Sequence, residues 1–281
     1  MRFEEFAAGH GLVIDRVEYG AWKRVRTVDH MAKKNGAYIH KGNVAHVQNW
    51  ATMDEPATWF PDADIDIKID HGYIARRSAE VARALAAGRQ KAANKAGWMM
   101  HQCTLERHSY LDGKGFPDEL GNVMQRPEGG PLLLIPMFIA GRLVGLQTIT
   151  TDGEKKFLFG QTTSGAEYVI DNKGRDWFVE GYATGLSLRA ALAALKIRYR
   201  VHVCFSARNL TKLASACPRG IVVADRDASG TGKSAAEKSG RPYFLPPEVG
   251  QDFNDLHREV GVFRASQMLR RFLVGEGGRC L

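Results

Sequence analysis

The spacing of apolar residues changes along the chain and predicts two kinds of architecture. From residue 177 onward, short apolar runs alternate with Ala- and Leu-rich segments of helical periodicity. The predicted strands lie at 177–179, 201–205, 221–224 and 243–245, and the predicted helices at 186–195, 208–215, 233–238 and 253–260. Repeated strand–helix units of this length are typical of a parallel, doubly wound sheet with right-handed crossovers.

Upstream of residue 160 the pattern instead predicts antiparallel structure. Three apolar runs at 131–137, 143–150 and 155–159 are separated by short glycine-containing turns, which is typical of a meander. The first 75 residues predict a loop-rich module with an opening helix and short strands at 22–27, 36–40 and 45–50. The acidic stretch at 60–70 favours an exposed strand or linker over a calcium loop.

A long Ala-rich segment at 74–97 predicts a helix that carries six basic residues and one acid. Such a helix either lies along a phosphate backbone or links two domains with a solvated face. We therefore expect four parts: a basic α+β module at 1–75, a basic linker helix at 76–100, an antiparallel meander at 101–170 and an α/β domain at 171–281.

Composition narrows the class of protein. The formal net charge is +8, so either a polyanionic partner or simple solubility accounts for the basic balance. No apolar run reaches the ~18 residues of a membrane span and no signal-peptide pattern is present, so we expect a cytoplasmic protein without membrane contact. The cysteines Cys103, Cys204, Cys217 and Cys280 form no CxxC pair, which argues against a zinc ribbon and a disulfide scaffold.

Cations and aromatic residues are interleaved in the N-terminal module. This mixture is typical of surfaces that bind single-stranded nucleic acid through phosphate contacts and base stacking. The predicted nucleic-acid-binding residues are Trp22, Lys23, Arg24, Arg26, Lys33, Lys34, Arg76 and Arg77. The alternative is a small β-rich domain whose Lys and Arg side chains are only solvated.

Carboxylates stand at the predicted ends of the parallel strands. The candidates for a metal site are Glu180, Asp225, Asp227, Asp252 and Asp255. Because the carboxyl ends of parallel strands share one sheet edge, we expect these side chains to converge although they are distant in sequence. Oxygen ligands without nearby His or Cys suit Mg²⁺ or Mn²⁺ rather than zinc. The alternative is a set of helix-capping and turn carboxylates.

Basic and polar residues are candidates for binding nucleotide phosphate. Lys114 stands between two glycines, and two lysines follow a turn of the meander. The predicted nucleotide-binding residues are Lys114, Lys155, Lys156, Arg208, Asn209 and Lys233. For the two on the predicted helix at 208–215, a core-capping role is equally compatible.

A glycine-rich segment near the acids looks like a Walker A fragment. It is Gly230-Thr231-Gly232-Lys233-Ser234. Asp227 occupies the position of the first glycine of that motif, which argues against a P-loop.

Three elements in this order resemble a known family. They are Val179-Glu180-Gly181-Tyr182-Ala183-Thr184, Asp225-Arg226-Asp227-Ala228-Ser229-Gly230 and Gly250-Gln251-Asp252. They look like the acidic motifs of the Toprim fold, which is shared by bacterial-type primases, type IA and type II topoisomerases and some nucleases. The resemblance is closest to phage- and plasmid-encoded primases, because of His108-Ser109-Tyr110-Leu111-Asp112-Gly113-Lys114-Gly115 and the meander pieces Ile135-Pro136-Met137, Leu146-Gln147-Thr148-Ile149 and Gly153-Glu154-Lys155-Lys156.

The resemblance covers residues 100–260. It implies a Toprim-like parallel sheet flanked by helices, in which Glu180, Asp225 and Asp227 are catalytic and bind metal together with Asp252. It implies a metal-dependent DNA primase that joins NTPs into short RNA primers, or deoxynucleotides as the alternative, on a single-stranded DNA template. A separate replicative helicase is an expected partner.

This chain departs from the cellular primases at two positions, Thr184 and Asn254, where those enzymes carry further acids. Two alternative functions are therefore kept. One is a Toprim nuclease or strand-passing enzyme, and the other is a catalytically inactive nucleic-acid-binding replication accessory protein.

Overall fold

The computed structural model describes residues 1–62 and 70–276. They form two compact units, Met1–Ala87 and a second that begins at Gly88. Residues 63–69 of the predicted acidic strand or linker, and Cys280, lie outside the described residues. Within the described part no helix is long and apolar enough to cross a membrane.

The first unit is an antiparallel sheet with a helix packed on one face. Helix α1 covers Phe3–Gly9, and the strands are β1 Leu12–Val13, β2 Lys23–Thr27, β3 Gly36–His40, β4 Ala45–Asn49 and β5 Ala57–Trp59, paired in chain order. The buried core joins Phe3 to Tyr38, Val47 and Trp59 on the sheet. The three predicted strands are confirmed, and β1 and β5 are edge strands that the apolar pattern does not predict.

The chain then forms helix α2, His71–His101, which contains the whole of the predicted basic helix. An antiparallel sheet of order β10-β9-β8-β7-β6 follows in the second unit. Its elements are β6 Thr104–Glu106, α3 Ser109–Gly113, β7 Gly121–Met124, β8 Leu132–Ile139, β9 Arg142–Ile149 and β10 Lys155–Phe157. The predicted meander is therefore present, extended by β6 and β7.

The other sheet of the second unit has the order β11-β13-β12-β14-β15. Its strands are β11 Tyr168–Asp171, β12 Arg175–Val179, β13 Tyr199–Val203, β14 Ile221–Val223 and β15 Tyr243–Phe244. The helices are α4 Tyr182–Ala194, α5 Ala207–Ser215, α6 Thr231–Ser239 and α7 Phe253–Glu276. Strands β12 to β15 are parallel, as the repeated units predict, but β11 is antiparallel to β13 and makes the sheet mixed.

Alternate side chains of the parallel strands pack against opposite helical layers. Trp177 and Val179 of β12 belong to the core cluster with α4 and α7, whereas Phe178 belongs to the cluster with α5 and α6. This alternation follows from the two-residue period of an extended strand. Because helices cover both faces, the strands are apolar throughout, which is the pattern that the sequence displays.

The strand order reverses at β12. The chain leaves β12 through α4 to reach β13 on one side, and leaves β14 through α6, on the opposite face, to reach β15. Adjacent parallel strands whose connections run over opposite faces leave a crevice at their carboxyl ends, where α/β proteins bind ligands. The fold therefore places the ends of β12 and β14 at an edge suited to ligand binding.

A largely buried histidine ties the antiparallel edge strand to the sheet. His202 of β13 lies 2.7 Å from Glu167, which precedes β11, and 3.0 Å from Asp176 of β12. Its ring stacks on Phe178 at a centroid distance of 4.6 Å. Burial lowers the pKa of His202, but the bonds with the two carboxylates outweigh it, so the pKa is raised overall. The ring thus links β12 and β13 to the segment before β11, and the raised pKa favours its protonated form.

The free energy of unfolding is expected to fall as pH rises through the raised pKa of His202. A histidine whose folded pKa exceeds its unfolded value of about 6.5 stabilises fully below that value and loses the contribution above the folded pKa. His202→Gln should abolish this pH dependence and lower the free energy of unfolding by about 1–3 kcal/mol near pH 6. Urea unfolding at about pH 6 and pH 9 measures both effects. The control is His71→Gln at an exposed position, and a pH slope retained in H202Q contradicts the assignment.

Candidate active site

Two strand ends and one helix start carry the acids predicted to converge. Glu180 directly follows β12, and Asp225 stands two residues after β14, the parallel neighbour of β12. The N–H of Arg226 donates to the carbonyl of Gln251 at 3.0 Å, and the carbonyl of Arg226 accepts from Gly250 at 2.7 Å. These two backbone bonds bring the segment before α7, and with it Asp252, beside the Asp225–Asp227 turn.

Asp225 has the most unfavourable environment of these acids. Its Oδ1 is buried and has no hydrogen-bond partner among the described residues. Burial raises the pKa of Asp225 to about 7; the charges of Asp252, Glu180 and Asp227 add to this effect, and Lys155 opposes it. An unpaired buried carboxylate destabilises a fold. Strongly shifted pKa values of this kind cluster at functional sites, where a ligand completes the group.

Asp227 lies in the opposite environment because it caps helix α6. Its carboxylate accepts hydrogen bonds from the Ser229 hydroxyl and from the backbone N–H groups of Gly232 (2.7 Å) and Thr231 (3.0 Å), which lower the pKa of Asp227 to about 2. A Cβ at Gly232 would lie 2.3 Å from the carbonyl oxygen of Asp225, so the close turn requires glycine. The Walker-like segment is therefore a helix start whose amides already bind Asp227.

Glu180 and Asp252 lie beside this pair. Burial and the Asp227 charge raise the pKa of Glu180, whereas Lys155 lowers it. Asp252 accepts a bond from the Asp255 N–H at 2.8 Å, and Asp255 accepts one from the Asp252 N–H at 3.2 Å. This reciprocal capping arrangement at the start of α7 gives Asp255 a structural partner. It also fixes the backbone that carries Asp252.

A lysine from the antiparallel sheet faces the acids. Partial burial and the Lys114 charge lower the pKa of Lys155, and the charges of Asp252, Asp225 and Glu180 raise it. The mutual influence of these charges places Lys155 and Lys114 with the carboxylates. The structure thus brings together lysines at 114 and 155 with acids that begin at 180 and extend to 252 in the sequence.

The other predicted phosphate contacts differ in their surroundings. The Lys114 carbonyl accepts a hydrogen bond from the Asn254 side chain at 2.9 Å, which fixes the loop that carries the ammonium group. Lys156 bonds to Glu154 at 2.9 Å, and Lys233 lies 3.6 Å from Glu237 on the exposed side of α6. Both are exposed ion pairs, which contribute about 0–1 kcal/mol to the free energy of unfolding. Either lysine can therefore leave its carboxylate partner for another anion.

Asn209, one of the predicted nucleotide-binding residues, is engaged by backbone groups. Its side chain is buried, and its Nδ2 donates to the carbonyls of Ala166 (2.7 Å) and Cys204 (2.8 Å). Its Oδ1 accepts the Gly165 N–H at 2.6 Å. The amide is thus engaged by backbone groups and performs the core-capping role that the sequence left open. Arg208, its neighbour, is exposed at the start of α5.

The predicted nucleic-acid-binding residues all lie in the first unit. Four of them pair with carboxylates: Lys23 with Glu18, Arg26 with Asp15, Arg76 with Asp70 and Arg77 with Glu80. The Arg24 guanidinium instead lies over the Trp50 ring, 4.0 Å from its centroid. Trp22, Lys33 and Lys34 are exposed.

Three buried polar groups near the acids carry no sequence signal of their own. Tyr110 Oη, Gln251 Oε1 and Asn254 Oδ1 have no hydrogen-bond partner in the described ranges. Burial and the Asp252 charge raise the pKa of Tyr110 to about 12. Only their positions point to them, since Tyr110 lies in the stretch at 108–115 and the other two flank Asp252.

The donor set suits a hard divalent cation. Glu180, Asp225, Asp227 and Asp252 offer only carboxylate oxygens, the ligand class of Mg²⁺ and Mn²⁺, and the Asp225 oxygen lacks a partner. Within 1–62 and 70–276, no three His, Cys, Asp or Glu side chains are gathered tightly enough to hold an ion as they stand. Burial first, and then repulsion between the like charges, raise the pKa values of Asp225 and Glu180.

No protein-family model matches the chain. Solved structures similar to it are primase domains of bacteria and bacteriophage. A chain from the complex of bacteriophage T7 lagging-strand DNA polymerase with primase domains is 13% identical over 60% of this chain and 91% of that chain, with a TM-score of 0.41. A DNA primase domain from Pseudomonas aeruginosa is 20% identical over 52% of this chain and 55% of that chain, with a TM-score of 0.33.

The E. coli primase catalytic core is 16% identical over 68% of this chain and 77% of that chain, with a TM-score of 0.32. The present chain spans about half the length of the Pseudomonas domain that it matches. All three are remote likenesses, with TM-scores below 0.5.

Proposed function

We propose that this protein is a metal-dependent DNA primase that joins NTPs into short RNA primers on single-stranded DNA. One observation carries the proposal. The unpaired, buried Asp225 carboxylate stands at the carboxyl ends of β12 and β14, where the strand order reverses. Glu180, Asp227 and Asp252 lie there with it, and Lys155 faces them. The order of the acidic motifs, which resembles that of Toprim primases, supports the same assignment.

The acids would hold Mg²⁺ or Mn²⁺ on this proposal. When bound, the ion supplies charge neutralisation for the triphosphate and a lowered pKa for the attacking 3′-hydroxyl. Asp225 would contribute its unpaired oxygen and release its proton, since its pKa is about 7. Asp227, with a pKa of about 2, stays ionised throughout. Glu180 and Asp252 complete an oxygen-only set.

Lys155 and Lys114 would bind and orient the triphosphate of the incoming nucleotide. The Lys114 charge disfavours the charged form of Lys155, and an anion bound by both lysines would relieve that repulsion. Lys155 Nζ lies 5.7 Å from the centroid of the Tyr110 ring, which gives its stem a fixed direction.

The predicted four-part organisation gives each segment a role in this proposal. The lysines belong to the segment at 101–170 and the acids to the domain at 171–281. The module at 1–75 would hold the template strand. A separate replicative helicase would unwind the duplex.

Strand passage is a poorer alternative because it requires a nucleophilic tyrosine. Tyr110 and Tyr182, which lie near the acids, are both buried. Burial raises the pKa of each phenol, to about 12 for Tyr110. A buried phenol with a raised pKa and no adjacent base is a weak nucleophile.

One assay separates the remaining functions. The protein is incubated with single-stranded DNA, labelled NTPs and Mg²⁺ or Mn²⁺, beside Asp225→Ala/Asp227→Ala. The matched control is Asp118→Ala/Glu128→Ala, which removes two exposed carboxylates from the same unit. We expect primer synthesis by the wild type and the control and none by the site variant. DNA cleavage would identify a nuclease, and binding without either reaction an accessory protein; both outcomes overturn the proposal.

A further inference from the structure

The sheet of the first unit has one face that α1 does not cover. Tyr38 and Val47 pack against Phe3 of α1, and side chains alternate along each strand. Arg24 and Gln48 pair across Ala37 of β3 and therefore belong to the opposite face. Trp50 continues that face beyond β4, because it lies two residues after Gln48. This second face is buried at Ala37 and Gln48 and is exposed at its end, where Arg24 and Trp50 stand.

Arg24 and Trp50 form a preassembled pair on this face. The Arg24 guanidinium lies 4.0 Å from the centroid of the Trp50 ring, and Trp50 is 47% exposed. Among the described residues, Arg24 makes no ion pair with a carboxylate, whereas Arg26 on the same strand pairs with Asp15 at 3.2 Å. Cation–π stacking orients a guanidinium without neutralising its charge. An uncompensated cation therefore stands beside an accessible aromatic surface.

Two lysines lie at the same end of the sheet. The N–H of Trp50 donates to the carbonyl of Asn35 at 3.2 Å, and the N–H of Asn35 donates to the carbonyl of Lys33 at 2.9 Å. These bonds anchor the loop of Lys33 and Lys34 against the backbone of Trp50. Both ammonium groups are exposed and, within the described ranges, unpaired with any carboxylate. One cation thus stacks on the exposed indole, and two more stand on the loop that is bonded to its backbone.

We propose that Trp50, Arg24, Lys33 and Lys34 form a site that binds single-stranded DNA by stacking a base on Trp50 and pairing phosphates with the three cations. Charge complementarity selects a polyanion, and the indole selects one whose bases are free to stack. A duplex satisfies only the first condition because its bases are already stacked. The inference deepens the proposed function, on which it rests, by locating template binding in the first unit.

Affinity of the full chain for a labelled oligo(dT) of about 20 nucleotides, measured by fluorescence anisotropy without NTPs, tests the site. Trp50→Ala and Arg24→Ala should each weaken binding by about tenfold, and Trp50→Phe should retain most of it. Lys33→Ala/Lys34→Ala should reduce the slope of log K against log salt by about 1.4. The matched control is Trp98→Ala, which removes an indole that is 60% exposed in α2. A duplex of equal length should bind more weakly.

The site is overturned if R24A and W50A bind as tightly as wild type, or if W98A loses as much affinity as W50A. R24A changes an exposed side chain, so its result does not depend on refolding of the core. Primer synthesis by the wild type, W50A and the D225A/D227A variant separates failure of the primase proposal from failure of the DNA-binding site. If neither it nor the wild type makes primers but Trp50-dependent binding persists, the primase proposal fails and the DNA site stands. If W50A primes as well as wild type at limiting template, the site fails and the primase proposal stands.

Discussion

On the proposed primase function, Asp225→Asn is expected to abolish primer synthesis and, at the same time, to raise the stability of the metal-free protein. The substitution keeps the shape of the side chain and removes its charge. The carboxylate oxygen lacks a partner and faces Glu180, Asp227 and Asp252, so the charged form is disfavoured in the folded chain. The same charge is the one that the proposed cation requires. Activity and stability should therefore move in opposite directions.

The expected pH dependence follows from the raised pKa of Asp225. The folded chain binds this proton more tightly than the unfolded chain, whose Asp pKa is about 3.9. Wild-type stability from this group is therefore present at acid pH and is lost as pH rises from about 4 to about 7. Since Asn carries no titrating proton, D225N should gain on the order of 2–4 kcal/mol over wild type above pH 7 and little near pH 4.

Thermal or urea unfolding of both proteins across that pH range measures the effect. Mg²⁺ or Mn²⁺ should raise the melting temperature of the wild type above pH 7 and have a much smaller effect on D225N. The control is Asp118→Asn, an exposed acid of the same unit, which should leave stability and the metal response unchanged. A D225N protein that is less stable than wild type at pH 8, or that still synthesises primers, is incompatible with this account of Asp225.

The acidic edge is the part of the molecule that sequence reasoning reaches most directly. Short continuous apolar runs locate β12 and β14, and the rule that parallel strands end at one edge predicts that Glu180 and Asp225 lie together. The strand predicted at 221–224 and the observed β14 at Ile221–Val223 differ by one residue. For this strand local pattern and global topology agree, which is why its prediction from the chain alone is confirmed.

Contacts between residues that are distant in the sequence cannot be predicted from local apolar patterns. The antiparallel β11 is recognisable only through its pairing with β13, which comes after an intervening strand and helix. Asn209 gives no local sign that backbone groups at 165 and 166 will engage its amide. The polarity of a side chain is visible in the sequence, but its partners are set by packing. The same limit applies to the ion pairs that neutralise Arg26 and Arg77.

At Asn254 the sequence comparison suggests a loss, because cellular primases carry an acid at this position. In the structure Asn254 acts as a hydrogen-bond donor. Its Nδ2 donates to the Lys114 carbonyl and to the Ser187 hydroxyl, each at 2.9 Å, and Ser187 lies 3.0 Å from His257 Nδ1. An amide can donate these bonds, whereas an ionised carboxylate only accepts. Asn254 thus positions the Lys114 loop against α4 and α7.

Asn254→Ala is therefore expected to raise KM for the NTP about tenfold or more with a smaller change in kcat, because Lys114 loses its anchor. It should also lower the free energy of unfolding by about 1–3 kcal/mol, the cost of leaving buried polar groups unpaired.

Asn254→Asp introduces the acid that cellular primases carry but buries a charge near Asp252. It should therefore destabilise the fold at least as much at neutral pH and gain no activity. Ser187→Ala, which removes only the other branch, should leave KM close to wild type. Steady-state kinetics and urea unfolding of the three variants measure these effects; a gain of activity or metal affinity in N254D would show that position 254 acts as a ligand instead.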